Sequence, residues 1–157
     1  MGTPLGEIVV RAAKAEDRPA IQAVVQDLPE WFDSRALAVS IPTDIRWQQV
    51  LVAETAGRIV GFVSLYVAEG RLNIGWIGVL RHLHRRGIGS RLLAEAERQA
   101  RAKGIEQLGV MTLGDGVAYP PYEQTRAFYA KHGFLVRQRS RTDNAGCPEE
   151  LHLVKCL

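Results

Sequence analysis

The chain has 157 residues, 46% of them hydrophobic and 24% charged, which is ordinary for a single globular domain. That composition excludes a disordered chain, a collagen-like repeat and a coiled coil, and no apolar run approaches the roughly 18 residues that would span a bilayer. The net charge of +3 suits an anionic ligand but is too weak to drive nucleic-acid binding.

Residues 1–14 lack a basic segment followed by an apolar core, so no secretory signal is expected. Residues 8–11 read as a short strand. Residues 15–28 read as a helix, with Ile21, Val24, Val25 and Leu28 on one stripe. Trp31 and Phe32 follow Pro29, and a short helix is expected to run through Leu37. The two aromatics suit either an anchor between helices or a lid over a binding site. Residues 50–54 and 59–66 read as strands joined at Ala56-Gly57, and Glu69-Gly70 turns the chain into a third, 72–80. Such short turns imply an antiparallel meander.

The apolar phase slips inside that third strand. Leu72, Ile74 and Trp76 hold even positions, whereas Ile77 and Val79 hold odd ones. Strand side chains alternate with period two, so either both faces are buried or an extra residue, a β-bulge, sits near Gly75 and Gly78.

Ile88, Leu92, Leu93, Ala96 and Ala100 then form a helical stripe, and Gly104 sits where a helix would end. A strand at 108–113, a Gly- and Pro-rich loop at 114–121, and a helix at 125–132 closed by Gly133 follow. Strands at 134–139 and 151–157 complete the chain. The order β-α-α-β-β-β-α-β-α-β-β makes a mixed α/β sheet with helices on its faces. Cys147 and Cys156 form no C-x-x-C pair, so free thiols in a reducing, cytoplasmic compartment are expected. His82 and His84 lack a third ligand and make no metal site.

The chemistry concentrates at Arg81-His82-Leu83-His84-Arg85-Arg86-Gly87-Ile88-Gly89-Ser90-Arg91, between a strand and the start of a long helix. The first turn of a helix carries amide N–H groups without intrahelical partners, and the helix dipole adds about half a positive charge there. Glycines let a phosphate approach the backbone. Arg81, His84, Arg85, Arg86 and Arg91 surround the turn, and no acid lies between Arg71 and Ala94. An anion, and a diphosphate in particular, is the expected ligand. Both G-x-x-x-x-G-K-[ST] and G-x-G-x-x-G are absent, which excludes a P-loop NTPase and disfavours a Rossmann dinucleotide site.

Together with Thr125-Arg126-Ala127-Phe128-Tyr129-Ala130-Lys131-His132-Gly133-Phe134 some 40 residues later, this segment resembles the GCN5-related N-acetyltransferase (GNAT) superfamily over nearly the whole chain. The resemblance implies a single catalytic domain over residues 1–157 with a splayed central sheet. It implies acetyl-CoA as cofactor, its diphosphate at His84, Arg85, Arg86, Gly87, Ile88, Gly89 and Ser90. His84 stands where the family usually has Gln or Arg. The pantetheine arm would run along Ile77, Gly78 and Val79, with an N–H near Val79 stabilising the oxyanion. Tyr122 and Phe128 fall in the second motif, and Tyr122 replaces an Asn common there. Tyr129 matches the tyrosine that protonates the departing CoA thiolate. The strand that often carries the general base has no acid here, which leaves Glu54, Asp115 and Glu123 as candidates, with Glu54 beside the strand's far end. The acceptor would be an amine on a small molecule or peptide, attacking directly. A non-catalytic acyl-CoA sensor is the alternative that the missing acid and the altered Tyr122 position leave open. Neither nucleic acid nor membrane is an expected partner, and sheet-edge homodimers are common among chains of this resemblance. Arg137, Arg139 and Arg141 alternate along a strand, giving a basic face that is either solvated or attractive to an anionic acceptor.

Overall fold

The computed structural model describes residues 5–116 and 118–157. Residues 1–4, within the amino-terminal stretch read above, and Val117, within the expected 114–121 loop, lie outside the described residues. In chain order the elements are β1 (Ile8–Ala12), α1 (Arg18–Gln26), a π-helical turn (Ala36–Ser40) running into α2 (Ile41–Asp44), β2 (Gln49–Thr55), β3 (Arg58–Ala68), β4 (Arg71–Val79), α3 (Ile88–Ala102), β5 (Gln107–Leu113), α4 (Pro120–Lys131), β6 (Leu135–Arg141) and β7 (Glu149–Cys156). The sheet order is β1-β2-β3-β4-β5-β7-β6. β4 and β5 pair in parallel, whereas β1–β2, β2–β3, β5–β7 and β6–β7 are antiparallel. This is the mixed α/β fold expected from the element order.

Most boundaries shift by one to three residues, and two differ more. α4 starts at Pro120, because the fixed φ of proline suits a first helical turn, and Pro120-Pro121 therefore open the helix instead of closing the loop. The second helical segment runs on to Asp44 through the π-helical turn.

The chain forms two compact units. The first holds residues up to Tyr66 together with Gly75–Ala96, and the second holds Val67–Ile74 and Glu97–Leu157. In the first, the α1 stripe of Ile21, Val24, Val25 and Leu28 is buried with Phe32, Ala36, Ile41, Val52 and Phe62. Asp17 fixes the start of α1. Its carboxylate accepts from the Lys14 amide at 2.7 Å and from Arg11 Nη1 and Nη2 at 2.7 and 3.2 Å. The guanidinium and the amide hold Asp17 down to about 2.

The phase slip in β4 is a real extra residue. A Cβ on Gly75 would lie 2.8 Å from Ser64 Oγ, so Gly75 stands opposite Ser64. Four residues further along β3, Val60 ought to face Val79, yet it is the Leu80 amide that donates to the Val60 carbonyl, at 2.9 Å. One residue is therefore inserted between Gly75 and Leu80. The Trp76 amide donates to Ser64 Oγ at 2.8 Å. Val60 is itself the extra residue of a second register shift, since Ala53 faces Gly61 while Glu54 faces Ile59.

In the second unit, the β4–β5 ladder joins Leu72 to Leu108 and Ile74 to Val110. β5 and β7 pair without interruption from Gln107–Cys156 to Leu113–Glu150. β6 skips a residue between Val136 and Gln138, which breaks the alternation expected for Arg137, Arg139 and Arg141. Arg139 pairs with Asp115.

Asp17→Asn is predicted to lower stability at neutral pH. A carboxylate held at about 2 and released to the ordinary 3.8 on unfolding stabilises the fold fully above about pH 4. The difference between wild type and variant, measured by urea unfolding, is expected to shrink as pH falls from 4 toward 2.

Candidate cofactor and catalytic sites

Within the first unit, the junction of β4 and α3 builds a cradle of exposed backbone. A 3-10 turn at Arg81–Leu83 takes up the His84 amide, which donates to the Arg81 carbonyl at 3.1 Å. His84 then locks the loop onto the strand it has just left: its Nε2 donates to the Val79 carbonyl at 2.6 Å, and its ring meets the edge of Trp31 at 5.6 Å. Arg85 and Gly87 follow with φ of +62° and +84°. A side chain in that region costs about 1–2 kcal/mol, and such strain gathers at functional sites. The first bond of α3 runs from the Arg91 amide to the Gly87 carbonyl. The amides of Arg85, Gly87, Ile88 and Gly89 therefore have no acceptor among the described residues. Arg85, Arg86 and Gly87 are exposed, while the buried Ile88 side chain pins the helix start to the core. Successive amides turned to one side by left-handed residues form an anion-binding concavity.

Three of the five cations expected around this turn serve the protein itself. Arg81 donates to the Asp27 carbonyl and pairs with Glu30, and its own amide goes to Asp27 Oδ2. The Arg81 guanidinium holds Glu30 below the usual carboxylate range. Arg91 reaches the Ile8 carbonyl at 2.9 Å, and the His84 ring is held as described. Arg85 and Arg86 are exposed. Asp27 and Glu30 lie more than 50 residues from Arg81, so no local spacing signals their role. Ile77, Gly78 and Val79 form the end of β4, and a Cβ on Gly78 would come within 3.2 Å of Leu28 and Phe62. Phe32 is buried in the α1 cluster with Trp31 packed against it, which is the anchor arrangement.

In the second unit, Tyr129 lies on α4 and is only 2% exposed. Its ring packs against Phe128 and Phe134 at 5.4 and 5.3 Å. No described residue hydrogen-bonds its hydroxyl. Burial, and then the nearby Tyr122, push its phenol well above the ordinary range, so it stays protonated at any working pH. Phe128 also meets the edge of His132 at 4.8 Å, and Tyr122 packs on Tyr119 at 5.9 Å. Arg126 donates to the Leu113 and Gly114 carbonyls at 2.9 and 3.3 Å, which ties α4 to the end of β5.

The acetyltransferase (GNAT) domain family matches residues 46–136, more than half of the chain. The chain belongs to the GNAT acetyltransferase family. It is accordingly an acyltransferase, and acetyl-CoA is its donor. No curated protein sequence matches it. Solved structures share the fold. A protein of Desulfovibrio desulfuricans assigned to the GNAT family is 20% identical with a TM-score of 0.80, over 94% of this chain and 98% of its own. A GNAT acetyltransferase of Elizabethkingia anophelis with acetyl-CoA bound is 19% identical with a TM-score of 0.73, over 96% and 98%. The PaiA N-acetyltransferase of Thermoplasma acidophilum, in complex with coenzyme A, is 18% identical with a TM-score of 0.75, over 96% and 99%.

The acids of this GNAT chain are placed as follows. Glu54 Oε2 accepts from Arg11 Nε at 3.0 Å. It lines a cavity of about 420 Å³ together with Arg11, Asp17, Arg58 and Leu80. Asp115 is paired with Arg139, and Glu123 sits in the first turn of α4. Both cysteines are unpaired thiols. No helix among the described residues is long and apolar enough to cross a membrane.

Gly87→Ala forces a Cβ into a left-handed conformation with no protein atom near it, so strain is its effect on the stability of the free protein. A cost of about 1 kcal/mol is predicted, read as a fall in Tm of about 2–4 °C by scanning calorimetry.

Proposed function

We propose that this chain, working as one domain, transfers the acetyl group of acetyl-CoA directly to a primary amine on a small molecule or peptide. The observation that carries this reading is the set of unpaired amides at Arg85, Gly87, Ile88 and Gly89, in a loop free of acids and rimmed by arginines. A diphosphate fits such a cradle, because its dispersed charge matches several N–H donors at once. Arg85, Arg86, Gly87, Ile88, Gly89 and Ser90 would hold it. His84 serves by fixing the loop to Val79 rather than by touching the ligand. The backbone of Ile77, Gly78 and Val79 would guide the pantetheine arm, with Tyr122 and Phe128 as further contacts.

Bound acetyl-CoA supplies an activated acyl group whose leaving group is a thiolate. Tyr129 would hand that thiolate its proton as the carbon–sulfur bond breaks. Glu54 is proposed as the base that accepts the amine's proton, with one oxygen steadied by Arg11. Neither cysteine falls at a matched catalytic position, so no acyl-enzyme enters the scheme. The chain would work in the cytoplasm. The exposed Leu135 and Val136 on the edge strand β6 support a homodimer along that edge.

Saturating CoA is predicted to raise Tm by about 5–10 °C, since a ligand at 100 times its Kd adds about 2.7 kcal/mol. Gly89→Trp should abolish the rise, and no protection of the wild type would sink the cofactor site. Tyr129→Phe is predicted to slow thiol release from acetyl-CoA by about 10²-fold with KM for acetyl-CoA unchanged, and Glu54→Gln by a similar factor. A wild-type rate in either variant removes that residue from the scheme.

A further inference from the structure

Thr112 carries a hydroxyl that neither the fold nor the proposed reaction uses. The residue is 7% exposed, and its Oγ1 is buried with no hydrogen-bond partner. A buried polar group without a partner destabilises the fold, and natural proteins leave few of them. A valine would fill the same space without that cost, so the hydroxyl calls for another reason.

Its surroundings follow from register, all within the second unit. β5 and β7 pair without a bulge, so Leu108, Val110 and Thr112 share one face. Leu108 stands opposite Lys155, and residues directly opposite in an antiparallel pair point to the same side. Lys155 reaches Glu97 on α3 at 3.0 Å, and a Cβ on Gly133, just past α4, would meet its side chain at 3.6 Å. Thr112 thus faces the layer that α4 covers. Arg126 fixes the level of that helix at Leu113 and Gly114. Tyr129 lies three residues on, roughly 4.5 Å down the helix axis, or about one and a half strand residues. That places Tyr129 on the stretch of α4 tied to this end of β5. Helical aromatic side chains lean toward the helix N-terminus, which tips the phenol further toward the Thr112 end of β5. Two buried residues on facing elements thus each carry a hydroxyl that no described residue engages.

We infer that Thr112 is a positioning residue for Tyr129: its hydroxyl donates a hydrogen bond to the phenolic oxygen when Tyr129 turns onto the departing sulfur. This rests on the proposed role of Tyr129. As the carbon–sulfur bond breaks, its electron pair stays on sulfur and the Tyr129 proton moves to it. The phenolate left behind sits in a desolvated layer and needs a donor. Thr112 keeps its own proton and supplies that hydrogen bond, and the phenol regains a proton from solvent once CoA leaves.

The test uses the full chain with water as acceptor, following thiol release over a range of acetyl-CoA concentrations in excess of enzyme. Thr112→Val should slow release about tenfold, the worth of one hydrogen bond to a charged oxygen, with KM for acetyl-CoA unchanged. Thr112→Ser should restore most of the rate. Thr112→Val should leave Tm unchanged or higher, because it removes an unpartnered hydroxyl. In a Tyr129→Phe background the Thr112→Val effect should vanish, which a purely structural role would not produce. An unchanged rate in Thr112→Val overturns the inference, as does a fall in its Tm by several degrees or an undiminished effect in the Tyr129→Phe background. If Tyr129→Phe itself releases thiol at the wild-type rate, the role of Tyr129 fails instead, and this inference with it.

Discussion

The amides of Arg85, Gly87, Ile88 and Gly89 have no acceptor among the described residues, and the surrounding structure is arranged to keep them so. The His84 ring is drawn back onto the Val79 carbonyl, Arg85 and Gly87 are held in left-handed conformations, and Ile88 is sunk in the core. Each of these would be a defect in a simple turn. Together they leave several N–H groups without an acceptor among the described residues at the positive end of a fifteen-residue helix. The cost of the strained loop is tolerable because His84 and Ile88 anchor it on both sides.

Charge is distributed around this cradle with less redundancy than a count of arginines implies. Arg81 belongs to Asp27 and Glu30, and Arg91 to the Ile8 carbonyl. These contacts brace the loop and its helix against the first strand and α1. Arg85 and Arg86 are exposed on the same loop. The proposed diphosphate site would therefore depend more on backbone geometry than on side-chain charge, in keeping with a net charge of only +3.

The second motif relies on the opposite physics. Around Tyr129 the structure excludes water instead of exposing donors, with Phe128 and Phe134 against the ring. Desolvation keeps the phenol protonated, and Arg126 holds its helix on the β5 end. Thr112 on β5 carries a buried hydroxyl without a partner.

Much of this was legible in the residue order. The apolar periods give the elements, the one-residue phase slip between Trp76 and Ile77 marks the inserted residue in β4, and Gly87 and Gly89 mark where a backbone must be approached. These are local signals, set by side-chain alternation and steric freedom within a few residues. The tertiary structure decided what depends on distant partners. It turned Arg81 inward through acids some 50 residues away, aimed the His84 ring at Val79, bound Arg139 to Asp115, and left Thr112 without a partner across from α4. Periodicity says which face a side chain takes, but only the packing of remote segments says which charge is already spent and which hydroxyl is not.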